Sequence, residues 1–201
     1  MQARAIATRD RLLHAAAEVL VQKGYAGTTT AEVCRHAKVS RGTVQYHFPT
    51  RDSLLVAAVH HVLTERVHQF LSAHSDRATQ TPSQLIQDMW QQWQGPPFYA
   101  WLELAVASRT HPALREPLAK VMADFDALVI EAMQELTGTQ GTGPLPPESA
   151  LFVFAAFNGL ALDGIYSSDA KIQPLLALLN ELAHQTPVSY THLTLPTNRE
   201  V

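Results

Sequence analysis

Apolar residues recur at helical spacing along most of the chain, and this periodicity constrains the fold more than any other feature. In the first candidate helix, from about Thr8 to Lys23, the apolar side chains fall on one face. No stretch of useful length alternates apolar and polar residues as a half-buried strand does, and no internal repeat is present. The sequence therefore predicts an all-α fold of about nine helices.

Two short helices joined by a tight connection are predicted after this first helix. Thr29 and Glu32 have the spacing of a capping box. In this motif the Thr29 hydroxyl accepts a hydrogen bond from the Glu32 amide, and the Glu32 side chain accepts one from the Thr29 amide. Ser40 is placed to cap the next helix, which runs to about His47. Helix, turn and helix within about twenty residues have the dimensions of a DNA-binding helix-turn-helix.

The charges are distributed unevenly between the two parts of the chain. Residues 1–51 carry eight basic and three acidic side chains, a net charge of +5, whereas the remainder carries seven and fifteen, a net charge of −8. A basic head on an acidic body is expected of a protein that meets phosphate at one end only.

The second of the two short helices has the side chains that a recognition helix needs. Val44 and Phe48, four residues apart, are expected to face inward, which leaves the polar side chains outside. Gln45 can pair with adenine and Arg41 with guanine through two hydrogen bonds each. Arg51, at the start of the following helix, suits a sugar-phosphate contact.

Residues 24–30 (GYAGTTT) and 39–55 (VSRGTVQYHFPTRDSLL) resemble the N-terminal domain of the TetR family of bacterial repressors, and the likeness extends over about residues 8–59. The resemblance implies that the third helix reads the major groove and that the fourth joins the head to a ligand-binding, dimer-forming body. The residues then expected at or near DNA are Thr29, Thr30, Arg41, Gly42, Thr43, Gln45, Tyr46, His47 and Arg51.

Three positions depart from the family pattern. Lys38 stands in the turn where glycine is usual, so either it adopts a left-handed conformation at a cost of about 1 kcal/mol or the turn differs locally. Cys34 replaces a small apolar residue and is expected to be buried. Gln45 replaces a common tyrosine, which favours a base contact over a backbone contact.

The pattern predicts a head over residues 1–55, a helical effector-binding and dimerisation body over 56–187, and a tail over 188–201. Pro117 is expected to split or kink a long helix over 112–136, and a mobile loop is expected over 137–147. The tail has no helical period and resembles a translated sequencing-library adapter, so we expect it to be non-native.

Aromatic and soft side chains are concentrated in the first half of the body. One interpretation is a cavity for an apolar or aromatic effector, and the other is ordinary core packing, which spacing alone favours for any single residue. Asn158 adds a polar group inside an apolar helix, where it needs a partner. The candidate effector-binding residues are Trp90, Trp93, Tyr99, Trp101, Met122, Phe125 and Asn158.

The last two predicted helices favour dimerisation. The helix over residues 148–166 is apolar around nearly its whole circumference, so it is expected to be buried on all sides. Two such helix pairs from two chains would close a four-helix bundle, as the family resemblance also implies. The candidate interface residues are Phe152, Ala155, Gly159, Leu162, Leu175, Leu179 and Leu182.

No phosphate loop, nucleophile motif or paired metal motif is present, so the sequence predicts no enzyme, no cofactor and no metal site. The ten histidines include no His-x3-His pair, which favours surface or packing roles for them. A single cysteine and the lack of a membrane-length apolar span favour a cytoplasmic protein without membrane partners.

These features together predict a transcriptional regulator. The expected form is a homodimeric repressor that a small apolar or aromatic effector releases from a palindromic operator. Two alternatives stay open: a DNA-binding helix-turn-helix protein that senses no small molecule, and a helix-turn-helix used for protein contacts.

Overall fold

The computed structural model describes residues 2–74, 82–138 and 147–185. Within these ranges the chain consists of helices and short connections, and the predicted all-α fold is confirmed. The helices are α1 (Gln2–Gly27), α2 (Thr30–Ala37), α3 (Arg41–His47), α4 (Arg51–Ala73), α5 (Pro82–Trp93), α6 (Pro96–Ser108), α7 (Pro112–Gly138), α8 (Pro147–Asp163) and α9 (Asp169–Gln185).

The first three helices form a head around a small apolar core. Leu12 and Leu20 of α1 are fully buried, and Val33 of α2 and Val44 of α3 join the same cluster. Because α2 and α3 are short, they have few apolar residues to bury, and their stability depends on packing against other helices. Helix α2 packs against α1, and α3 packs against α2.

Helix α4 links the head to the body. It begins at Arg51 and is capped by Thr50, whose hydroxyl accepts a hydrogen bond from the Ser53 amide at 3.0 Å while the Ser53 hydroxyl accepts one from the Thr50 amide at 3.2 Å. Its 23 residues span about 35 Å, and it packs against α1, α6 and α7. The apolar core continues from the head into the body without a break. The predicted head–body boundary at residue 55 falls inside this helix.

The body helices α5 to α9 surround a core in which Phe98, Leu104, Leu114 and Phe157 are almost fully buried. Helix α7 packs against α4, α6 and α8, and α9 packs against α5 and α8. Helix α4 therefore contacts both α1 of the head and the body helices α5, α6 and α7.

Several helix ends differ from the sequence-based expectations. Helix α1 begins at Gln2 rather than near Thr8, and α8 ends at Asp163 rather than Tyr166. Helix α7 continues through Pro117, so the predicted split is wrong. The proline lies in the second turn, where it removes only the bond to a carbonyl of the first turn.

Two predicted segments lie largely or wholly outside the residues that the structure describes. Most of the expected loop over residues 137–147 and the whole tail over 188–201 lie outside the described residues. Among the described helices, none combines the length and the apolar character that crossing a bilayer requires.

Candidate DNA-binding surface and effector cavity

The N-terminus of α2 is capped on one side only. The Glu32 amide donates to the Thr29 hydroxyl at 3.2 Å, as predicted. The reciprocal bond is absent from the described contacts, because the Glu32 carboxylate accepts from Arg35 at 2.6 Å and pairs with Lys23 at 3.2 Å. These two cations lower the pKa of Glu32. A carboxylate binds a cation more strongly than it binds a neutral amide. Of the predicted capping box, the Thr29 hydrogen bond is therefore correct and the Glu32 hydrogen bond is wrong.

The turn between α2 and α3 is made by a lysine in the left-handed conformation. Lys38 has φ 54° and ψ 47°, and the Val39 amide behind it donates to the Cys34 carbonyl at 3.1 Å. Of the two alternatives for this position, the structure therefore shows the left-handed one. Cys34 itself is buried, as expected.

Helix α3 is oriented by its cap and by two inward side chains. The Thr43 amide donates to the Ser40 hydroxyl at 3.1 Å, and the two hydroxyls lie 2.9 Å apart. Val44 and Phe48 are buried against the head core, as their spacing predicts. The opposite face of α3 is thereby left toward solvent.

This outer face carries most of the predicted DNA-contacting residues. Arg41, Gly42 and Gln45 are exposed, and Tyr46 exposes 84% of its surface. A Cβ added at Gly42 would meet only the Ser40 hydroxyl, at 3.8 Å, so packing within the chain does not require glycine there. At the N-terminus of α2 Thr29 is exposed, while three further candidates are half-buried: Thr30, Thr43 and His47.

Arg51 is engaged inside the head instead of standing on this face. Its Nη1 donates to the Thr28 carbonyl at 3.2 Å and its Nε to Asp52 at 3.2 Å. The guanidinium lies 4.2 Å from the centre of the Tyr25 ring, a cation–π contact. The expectation that Arg51 reaches phosphate stays a prediction, but these contacts give it a structural role that spacing did not reveal.

A joint between the head and the body is formed where α1 ends. Gly24 breaks the helix with φ 68°, and the Tyr25 amide behind it donates to the Glu103 carboxylate of α6 at 2.9 Å. The Tyr25 hydroxyl donates to Asp52 at 3.0 Å, and its ring lies 5.0 Å from that of His111. Burial and the Asp52 bond raise the pKa of Tyr25. Glu103 is a charged residue in an otherwise apolar helix, and its partner, the Tyr25 amide, lies 78 positions away in the sequence.

A narrow apolar cavity lies between α4, α5, α7 and α8. It has room for about 40 Å³ of water. Of the seven predicted effector residues, only Trp93 and Phe125 line it. Its lining residues are Leu63, Arg66, Val67, Phe70, Met89, Gln92, Trp93, Phe125, Val129, Ala132, Met133, Leu136 and Phe154.

The other five candidates lie elsewhere. Their helical spacing identified apolar segments but not which side of each helix meets the cavity. Trp90 is buried against Phe157. The remaining residues outside the cavity lining are Tyr99, Trp101, Met122 and Asn158.

Polar groups at the cavity are few. Arg66 donates from Nη2 to the Gln94 carbonyl at 2.7 Å and from Nη1 to the Trp93 carbonyl at 3.4 Å, which caps the end of α5. Burial lowers the pKa of Arg66 to about 10. The Trp93 Nε1 is buried without a hydrogen-bond partner among the described residues, and so is the Asn158 Oδ1 outside the cavity lining.

An apolar face on α8 and α9 is open to solvent in the single chain. Phe152 exposes 59% of its surface, Leu162 46% and Leu175 41%. Ala155 and Gly159, also predicted for the dimer interface, are exposed on the same helix, and Leu182 is 46% exposed on α9.

Leu179 differs from the other interface candidates. It exposes only 6% of its surface and belongs to the core of its own chain, so it is not free to pack against a partner.

A helix-turn-helix head with an exposed third helix, carried on a helical body, defines the class of DNA-binding transcriptional regulators. Two family profiles match the chain in agreement with this. The profile described as "Bacterial regulatory proteins, tetR family" matches residues 12–58, and that of the "Tetracyclin repressor-like, C-terminal domain" matches residues 83–185. The chain belongs to the TetR family.

Individual relatives and solved structures agree with this family membership. The regulator CymR of Pseudomonas putida is 31% identical over 172 residues, which is 84% of each chain. A TetR-family regulator from Rhodococcus sp. shares the fold with a TM-score of 0.70 and 24% identity, over 88% of this chain and 96% of that one. The multidrug binding protein EbrR, complexed with imidazole, aligns with a TM-score of 0.59 and 25% identity over 85% and 93% of the two chains. EbrR complexed with proflavin aligns with a TM-score of 0.55 and 25% identity over 87% and 99%.

Proposed function

We propose that this protein is a homodimeric repressor that leaves a palindromic operator when a small apolar or aromatic molecule binds its body. The observation that carries the proposal is that one helix, α4, both begins in the head and lines the apolar cavity. The proposal assigns the protein no catalytic activity.

Base recognition is assigned to α3. Gln45 and Arg41 are exposed on its outer face and have the donor and acceptor groups that pair with adenine and guanine. Tyr46 and His47 stand beside them and suit sugar-phosphate contacts. The basic head supplies the long-range attraction to DNA.

The effector is assigned to the cavity that Trp93 and Phe125 line. Its space of about 40 Å³ holds about three waters, whereas a drug-sized ligand needs at least about 300 Å³. Binding therefore requires the lining helices to move apart. Since α4 is one of them, this movement would shift the head and disfavour the spacing that adjacent major grooves require. The EbrR complexes with imidazole and proflavin support an aromatic ligand for this family member.

Dimerisation is assigned to the exposed apolar face of α8 and α9. This face exposes Phe152, Leu162 and Leu175 to water, which is unfavourable for apolar side chains. The same face of a second copy of the chain can pack against it and bury them. Two heads are also what a palindromic operator demands.

The test begins with selection of bound fragments from random DNA, which identifies the operator. Gln45→Ala should then weaken binding to that operator by about 5- to 150-fold and relax base preference at one position in each half-site. Gln91→Ala, at an exposed glutamine of α5, is the matched control and should change neither quantity. Unchanged affinity and base preference in Gln45→Ala would show that α3 does not read bases.

The same operator serves to test effector control. A panel of small aromatic molecules is titrated into the protein–operator complex while tryptophan fluorescence and DNA release are followed together. Release that coincides with a change in tryptophan emission in the unmodified protein but not in Trp93→Phe supports the proposal. Operator binding that no member of the panel affects would favour a regulator without small-molecule sensing, and failure to select any DNA would favour a protein-contact module.

A further inference from the structure

Three potential metal ligands converge at the contact between α1 and α4. The His14 Nε2 of α1 lies 3.3 Å from the His61 Nε2 and 3.3 Å from the Glu65 Oε2, both on α4. His61 and Glu65 are four residues apart and so share one helix face. All three ligand atoms lie within 4.8 Å of one another.

The two distances from the His14 Nε2 match the edges of a tetrahedral zinc site. Zinc–nitrogen and zinc–oxygen bonds of about 2.1 Å place neighbouring ligand atoms about 3.4 Å apart. The two distances from His14 Nε2 are within 0.1 Å of this value. Without an ion the His14 Nε2 can form a hydrogen bond with only one of its two neighbours, because it carries at most one hydrogen. If it donates that hydrogen to Glu65, it has no lone pair left for His61.

The surroundings leave room for the fourth ligand of such an ion. His14 and Glu65 form part of the wall of a cleft between α1, α4, the end of α5 and the start of α6, with space for about 320 Å³ of water. A water molecule from this cleft can complete a tetrahedron that the protein supplies with three ligands.

We propose that His14, His61 and Glu65 bind a single Zn²⁺ ion across the α1–α4 contact. Two imidazoles and one carboxylate are ligands that zinc accepts, and an open fourth position is compatible with three protein ligands. His14 lies within the predicted head and the other two ligands within the predicted body, so the ion would join the two parts. The sequence pattern does not reveal this cluster, because its ligands come from two helices that are distant along the chain.

The proposal is tested with ZnCl₂ alone, titrated into the purified full chain in the presence of a chromophoric chelator that competes for the metal. One equivalent is expected to bind per chain and to raise the thermal midpoint of unfolding. His14→Gln, His61→Gln and Glu65→Gln should each weaken binding at least about tenfold, since each removes one of three protein ligands. His60→Gln, next to His61 but outside the cluster, is the matched control and should bind as the unmodified chain does.

Two results would overturn the proposal. One is zinc binding with the same affinity and stoichiometry in all three ligand variants, which would place the ion elsewhere. The other is no saturable binding by the unmodified chain. Circular dichroism of each variant establishes that it is folded, so a lost site is distinguished from lost structure. Because no DNA is present, either result leaves the proposed regulatory function standing.

Discussion

Lys38 shows how a single residue sets the geometry of the DNA-reading element. The direction of α3 depends on a turn that requires φ 54° and ψ 47° at this position. For a residue with a Cβ this conformation costs about 1–2 kcal/mol, which glycine avoids. Packing of Val33 and Val44 into the head core compensates for the strain.

Replacing this lysine by glycine should therefore stabilise the protein. We expect Lys38→Gly to raise the free energy of unfolding by about 1 kcal/mol, measured by chemical denaturation. Lys38→Ala is the control, since it removes the charge but keeps the Cβ and the strain. An equal gain in both variants would mean that the charge, and not the backbone conformation, is the source of the cost.

At the scale of elements, the contact between α1 and α6 joins the two functional parts. Gly24 ends the regular part of α1, and a Cβ at this position would lie 3.1 Å from a Glu103 carboxylate oxygen. That carboxylate accepts the Tyr25 amide, and the Tyr25 ring in turn packs beneath Arg51 at the start of α4. Helix α6 and the start of α4 are thus connected through a few direct contacts.

Loss of the Glu103 carboxylate should loosen this joint. Glu103→Ala leaves the Tyr25 amide without its acceptor, and we expect the free energy of unfolding to fall by about 1–3 kcal/mol. The local effect is checked by hydrogen exchange at the Tyr25 amide, which should accelerate. Glu116→Ala, at an exposed glutamate of α7, is the control for loss of a negative charge. Unchanged exchange in Glu103→Ala would argue against the joint.

At the scale of the whole molecule, the apolar face of α8 and α9 is the main reason to expect a dimer. About half of the surface of Phe152 and of Leu162 is exposed to water, which is unfavourable for apolar side chains, and no other described residue of the chain covers them. Pairing of two copies would bury this face and also set the distance between the two heads.

A charge placed in this face should separate the subunits. Phe152→Glu is expected to give a monomer in sedimentation experiments and to weaken operator binding, because two heads then no longer bind as a unit. Val106→Glu, at a valine of α6 that is 60% exposed, introduces the same charge on another surface and should leave the dimer intact. If Phe152→Glu sediments as the unmodified protein does, the interface lies elsewhere.

The predictability of this protein differs between its parts for a physical reason. The caps at Ser40 and Thr50 and the inward positions of Val44 and Phe48 could be predicted, because each depends on residues at most four positions apart. The walls of the cavity could not, because helical periodicity identifies an apolar helix but not the neighbour that each side meets. Trp93 and Phe125 line the cavity, whereas Trp90 packs against Phe157.

The sequence by itself determined the helices, their caps, the basic head and the exposed face of α3, since all of these follow from short-range chemistry. Only the tertiary structure decided that Arg51 packs over Tyr25, that Glu103 holds the end of α1, and that Leu179 is buried in its own chain. It also brought His14 to within 3.3 Å of His61, 47 positions along the chain. Such contacts depend on how whole helices pack, and packing is a property of surfaces formed by distant residues together.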